Sequence, residues 1–248
     1  SPHSGGLRLR LLRRAPDGGL RTLKLLSEYG LVDRDPAGRL ALAAGATTQL
    51  TATARDANGN PTGLLVDSAI ELVGAKVLPP SPVQLAKALE KAQELLLATG
   101  ITATADMGTS AADWSVMQKA GADGRLKVRI MGYSSGLKPI ETMAHTGPSD
   151  WLFGDRLRMG GVKLYTDGAL GSRGAYLKQP YADQPDTRGL RFLTDAELHD
   201  QAGKAAALGY QLAIHAIGDA ANAQVISEYE NLSRQYGQNR RWRIEHFQ

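Results

Sequence analysis

Three side chains in the last third of the sequence have types that bind metal: Lys163 in GGVKLYTDG, His215 in YQLAIHAIGD and His246 in RWRIEHFQ. Each lies at or near the end of an apolar run that gives way to Gly or polar residues. That position suits the mouth of a parallel sheet, where nitrogen and oxygen ligands converge on an ion. Two neutral imidazoles one strand apart can share a divalent ion, each with an acceptor fixing its other ring nitrogen. Asp219, which follows His215, and Glu245, which precedes His246, are the candidate acceptors. They read equally as a helix cap and a strand-end ion-pair partner; a lone strand-end His is more often a hydrogen-bonded core residue than a ligand, an order that the pairing of His215 with His246 reverses. Lys163 sits between Val162 and Leu164, so desolvation lowers its pKa. That amine suits carbamylation by carbon dioxide, Schiff-base formation or a buried ion pair with Asp167.

The elements that must position these groups alternate. SPVQLAKALEKAQELLLATG predicts a helix with Ser81 as N-cap, Pro82 in the first turn, a stripe of Leu85, Ala88, Leu89, Ala92 and Leu96, and Gly100 as stop. The β-branched run ITATADMG follows as a strand. SAADWSVMQKAGADG predicts a second helix from a Ser110 cap, and RLKVRIMGYSS a second strand. RMGGVKLYTDG, YQLAIHAIGD and WRIEHFQ supply three more strands. Helices over DAELHDQAGKAAALG and DAANAQVISEYENLSRQYG fill the last two gaps. Consecutive βα units of about 30 residues imply an all-parallel α/β sheet with His215 and His246 on adjacent strands. The long segment GALGSRGAYLKQPYADQPDTRG after Lys163 has the length of an active-site wall.

Nothing before residue 56 holds a helical or strand period. Residues 1–55 therefore read as an irregular peripheral segment or one not native in sequence, and residues 56–248 as the folded domain, entered by the turn ARDANGNPTGLLVD. The chain has 248 residues, 42% hydrophobic and 22% charged, with mean hydropathy −0.27, enough for one large core. Its net charge of +4 comes with interleaved Asp and Glu and only 6% aromatics, which disfavours nucleic acid as a partner. There is no Cys, so disulfides and thiolate metal sites are excluded and a metal must use His, carboxylate or modified Lys. No apolar run approaches membrane-spanning length, and a cytoplasmic location is the expectation, with a secreted or periplasmic one allowed. His145 and His199 lie in contexts that predict exposure. Trp114, Trp151 and Trp242 are spaced as isolated packing residues.

GGVKLYTDGALGSRGAYLKQPYAD, QLAIHAIGDAANAQVISEYE and RWRIEHFQ resemble the matching segments of the YtcJ-like amidohydrolases, the amidohydrolase family 3 group related to N-substituted formamide deformylases. NPTGLLVD, ATGITATADMG and RLKVRIMGY fit the same family in the same order, so the resemblance spans about residue 56 to the end. It implies a metal-dependent (β/α)8 TIM-type barrel, with Lys163 as a carboxylated ligand, His215 and His246 as further ligands, and zinc as the ion. It also implies that Asp167, Arg173 and Tyr181 shape a substrate pocket. The activity so implied is hydrolysis of a small N-substituted amide at a C–N bond, by water activated on the metal.

Two departures qualify the resemblance. The superfamily's His-x-His pair on the first strand has no counterpart in residues 1–55, where His3 stands alone, and the Asp of the last strand that serves as base has none either. The expectation is a central piece carrying about strands two to six, inactive by itself. Two alternatives stay open: a Schiff-base lysine barrel, and a non-catalytic protein, either a barrel remnant that folds only with a partner or an inactive binding module; a homo-oligomer is allowed, and the expected partner is a small-molecule amide.

Overall fold

The computed structural model describes residues 77–248 together with four short strands nearer the start. Two compact units result, Ser1–Pro80 and Ser81–Gln248. In the first, β1 (Leu12–Arg14) pairs antiparallel with β2 (Leu20–Thr22), and β3 (Val32–Arg34) with β4 (Leu40–Leu42). His3 and the turn over residues 56–66 lie outside the described residues.

The second unit is an α/β half-barrel. Helix α1 (Pro82–Ala98) leads to β5 (Ala103–Thr109), α2 (Ala111–Ala122) to β6 (Arg129–Ser135), and the short α3 (Ile140–Met143) to β7 (Leu157–Tyr165). Then come α4 (Asp195–Ala207), β8 (Gln211–Ala216), α5 (Asp219–Tyr236) and β9 (Arg243–His246). The five strands pair in chain order, all parallel, as part of a TIM-type barrel. Neither β5 nor β9 has a further neighbour among the described residues. Also among them, no helix is long and apolar enough to cross a membrane.

Local chemistry explains the helices. Ser81 with Gln84, Ser110 with Asp113 and Thr194 with Glu197 form reciprocal capping boxes that satisfy N–H groups left over at each helix start. The stripe expected on α1 is rotated. Leu85, Leu89 and Leu96 are half-buried and Ala88 and Ala92 exposed. The buried residue is Gln93, whose Oε1 accepts from Lys127 N at 2.7 Å.

One face of the sheet packs on the helices: Ile130, Leu157, Met159, Val162, Leu164, Leu212 and Ile214 join Leu198, Ala202, Ala221, Val225 and Leu232 in one core. Strand side chains alternate between faces, yet Leu157, Met159, Val162 and Leu164 all face the helices. The register explains why: Gly132 pairs with Met159 but Tyr133 with Gly161, so Gly160 is an extra residue, a β-bulge. It resets the alternation and sends Gly161, Lys163 and Tyr165 to the opposite, inner face.

The Tyr133 ring lies across Gly161, where a Cβ would come within 2.2 Å of the ring and 2.7 Å of the Gln211 carbonyl oxygen. The carbonyl is backbone and cannot rotate away. Gly161→Ala is therefore expected to cost about 1–3 kcal/mol in urea unfolding, the range for overpacking. Gly171→Ala, in open space with no backbone conformation that opposes a side chain, is expected to be neutral. Equal midpoints for the two variants would contradict the inner-face packing.

Candidate metal centre

Lys163 is 4% exposed although charged residues are rarely buried. Its Nζ donates to the Leu164 carbonyl at 3.0 Å and sits 3.6 Å from the centroid of the Tyr165 ring. No ion pair to it forms among the described residues, so the pairing with Asp167 considered from sequence is not made. Burial lowers its pKa to about 8, against a smaller opposing pull from the Glu245 charge. The shift enlarges the share of neutral, nucleophilic amine near neutrality, although most of the group there is still protonated.

His215 pairs in register with Tyr165, which fixes its side chain to the inner face beside Lys163's row. It is 9% exposed. Its Nε2 lies 3.3 Å from Asp167 Oδ1, but off a hydrogen-bond line, so among the described residues this buried nitrogen has no hydrogen-bond partner. Asp167 is fully buried and its carboxylate is already engaged. It accepts from Tyr176 N at 2.9 Å, Ile217 N at 3.0 Å and Gly218 N at 2.7 Å. Burial alone would raise its pKa; the His215 contact and these N–H groups outweigh it and hold the carboxyl below its ordinary 3.8.

His246 pairs with Ala216, so strict alternation would turn it to the helix side with Ile244. Its φ of 75° is left-handed and ends the alternation. Its ring centroid lies 4.6 Å from that of His215. Glu245, in register with His215, makes an ion pair with Arg243 at 2.7 Å instead of contacting an imidazole. Asp219, the other expected acceptor, takes the Lys178 N–H at 2.9 Å. The carboxylate that adjoins His215 is Asp167.

Arg173 and Tyr181 hold the long loop to itself. Arg173 pairs with Asp183 at 2.6 Å, and the Tyr181 hydroxyl donates to the Ala175 carbonyl at 2.8 Å. His145 is exposed; His199 is largely so, although its Nδ1 is 2.9 Å from the buried Glu228. Trp114 is in the core, and Trp242 packs on Tyr229 with ring centroids 5.4 Å apart. Tyr165 is the site residue that the sequence reading passed over. Its signal was the Lys-x-Tyr spacing, which on any strand puts both side chains on one face.

The amidohydrolase family model matches residues 31–248. The chain belongs to the amidohydrolase family. It is 33% identical over 207 residues to Protein LONG AFTER FAR-RED 3 of Arabidopsis thaliana, covering 77% of this chain and 35% of that protein. It is 33% identical to the amidohydrolase YtcJ of Bacillus subtilis, covering 71% and 34%, and 29% identical to the N-substituted formamide deformylase of Arthrobacter pascens, covering 77% and 37%. The chain thus spans about a third of the length of these relatives. Among solved structures it is similar to a metal-dependent hydrolase from Pyrococcus horikoshii, with TM-score 0.60 and 28% identity, covering 71% of this chain and 39% of that one. Its counterpart from Pyrococcus furiosus gives a TM-score of 0.58 at the same identity, covering 71% and 40%.

The residues present fit a divalent ion. Two imidazoles adjoin and, among the described residues, one has an unpartnered buried nitrogen and a buried amine on the same face has no counter-ion. Among the described residues no three His, Cys, Asp or Glu side chains gather at one point.

A carboxyl whose folded pKa is depressed stabilises the fold above its unfolded pKa and loses that contribution as pH falls through the folded value. Asp167 should therefore make the protein lose stability on acidification below about 3.8. Asp167→Asn is expected to be less stable at neutral pH by about 2 kcal/mol, the scale for hydrogen bonds to a charged group. It should also show a shallower loss in that acid window. Parallel profiles in urea melts across pH would contradict this.

Proposed function

We propose that this chain carries part of the active site of a metal-dependent hydrolase that cleaves a C–N bond other than a peptide bond in a small N-substituted amide. The observation that carries the reading is the inner-face grouping of Lys163, His215 and His246 in a chain of the amidohydrolase family. The likeness to metal-dependent hydrolases supports a divalent ion, and the nitrogen-rich donor set favours zinc. The substrate class draws on the deformylase relative, whose name specifies N-substituted formamide.

His215 would present Nε2, free of hydrogen bonds, and His246 its adjoining ring. Lys163 would add carboxylate oxygens after its amine takes up carbon dioxide. A bound divalent ion would supply Lewis acidity, acidifying water and polarising the substrate carbonyl. Asp167 holds the end of β8 and the start of the long loop together, keeping His215 in place. The loop over residues 166–194 would wall the substrate, with Arg173 and Tyr181 keeping its shape.

A lowered amine also suits a Schiff base, the second reading. The adjoining imidazoles favour the metal, since imine chemistry does not call for them. Zinc titration by calorimetry decides between the two. His215→Ala and His246→Ala are each expected to weaken zinc at least about 10-fold, and Lys163→Ala to abolish any enhancement by bicarbonate. Zinc binding unchanged in all three variants, or borohydride trapping of a carbonyl compound on Lys163, would overturn the metal reading. With five strands and both edges unpaired among the described residues, the 248-residue chain alone is expected to show no robust turnover on a panel of N-substituted formamides.

A further inference from the structure

Lys163 and Tyr165 lie two apart on the inner face of β7. The Tyr165 ring centroid is 3.6 Å from Lys163 Nζ and 5.5 Å from the His215 ring centroid, so one ring adjoins both groups. Apart from this ring face, Nζ has among the described residues only the Leu164 carbonyl, at 3.0 Å. The lysine is 4% exposed and the tyrosine 44%. The ring is thus the wall on which the amine rests, at the open side of the site.

The face of an aromatic ring carries negative charge density, attracting a cation and repelling an anion. Carboxylation reverses the sign of the charge at the lysine tip. The neutral amine nitrogen attacks the carbon of carbon dioxide and a C–N bond forms. One C–O π pair moves onto oxygen, and one N–H proton leaves to solvent, giving a carbamate anion. The contact that held the ammonium then disfavours the product, while the same ring adjoins the imidazole of His215.

We propose that Tyr165 is a positioning residue that holds the unmodified Lys163 amine against β7 and sets how much carbon dioxide is needed to convert it into a metal-ligating carbamate. The inference rests on the reading of Lys163 as a carboxylated ligand given above. Tyr165 has no contact with the metal or the substrate in this role.

The test is a titration of the full 248-residue chain, saturated with zinc at fixed pH, with 13C-bicarbonate, following the carbamate carbon resonance. Tyr165→Leu is expected to lower the half-saturating bicarbonate about fivefold, the scale of one cation–π contact. Tyr165→Phe keeps the ring face and is expected to keep the wild-type value. Both variants should reach the wild-type carbamate level at saturation. A half-saturation in Tyr165→Leu equal to or above that of the wild type would overturn the role of Tyr165 while leaving Lys163 a carbamate ligand. Absence of a carbamate resonance from the wild type at every bicarbonate concentration would remove the Lys163 reading, and this inference with it. Circular dichroism checks folding, and Tyr165→Met supplies the non-aromatic comparison if the Leu variant does not fold.

Discussion

The extra residue at Gly160 is the constraint on which the rest depends. Strand side chains alternate with period two, and the core claims Leu157 and Met159 before the bulge and Val162 and Leu164 after it. Without the extra residue, the same core phase would carry Lys163 into the helix layer, where an amine meets only aliphatic side chains and desolvation is uncompensated. With it, Lys163 and Tyr165 face inward, and the β7–β8 register brings His215 onto the same face. A local backbone irregularity thus decides which chemistry the sheet presents, as bulges next to functional sites commonly do.

The two faces of the sheet divide the work. The helix side is apolar and closed, while the inner side holds Tyr133, Lys163, Tyr165, Gln211, His215, Arg243 and Glu245, with Tyr133 hydrogen-bonded to Gln211 and Arg243 ion-paired with Glu245. At the carboxyl ends of the strands, Asp167 ties three backbone N–H groups from the long loop and from the β8–α5 turn to one buried carboxylate. The loop is further fastened to the start of α5 by Lys178 N–H to Asp219 and by Ala220 N–H to the Tyr176 carbonyl. A segment of this length is therefore fastened at Asp167, Tyr176 and Lys178 to the turn and helix that follow β8.

Much of the fold was legible in the sequence because its signals are local. Ser81, Ser110 and the apolar runs mark helices and strands through caps and periodicity, and the order of elements follows from βα alternation. The burial of Lys163 and His215 was legible for the same reason, since each is flanked by an apolar strand run. The orientation of His246 was not, since it depends on a left-handed φ that a non-glycine residue adopts only in context. Asp167 read as a pocket residue because its N–H donors at Ile217 and Gly218 lie about 50 positions away, and only the fold brings them together. The bulge had a signal, the Gly160–Gly161 pair with apolar residues out of phase across it, which a strict period-two reading of RMGGVKLYTDG overlooks. Residues 1–55 gave no persistent period, yet the family match begins at residue 31 and two short antiparallel pairs lie within them.

Zinc K-edge X-ray absorption of the zinc-loaded chain in bicarbonate tests most directly whether the inner face gathers these ligands. The account predicts outer-shell scattering from two imidazoles, reduced to one in His215→Ala and in His246→Ala, with light-atom oxygen scattering that diminishes in Lys163→Ala. A spectrum without imidazole scattering, or one unchanged by either histidine substitution, would contradict it.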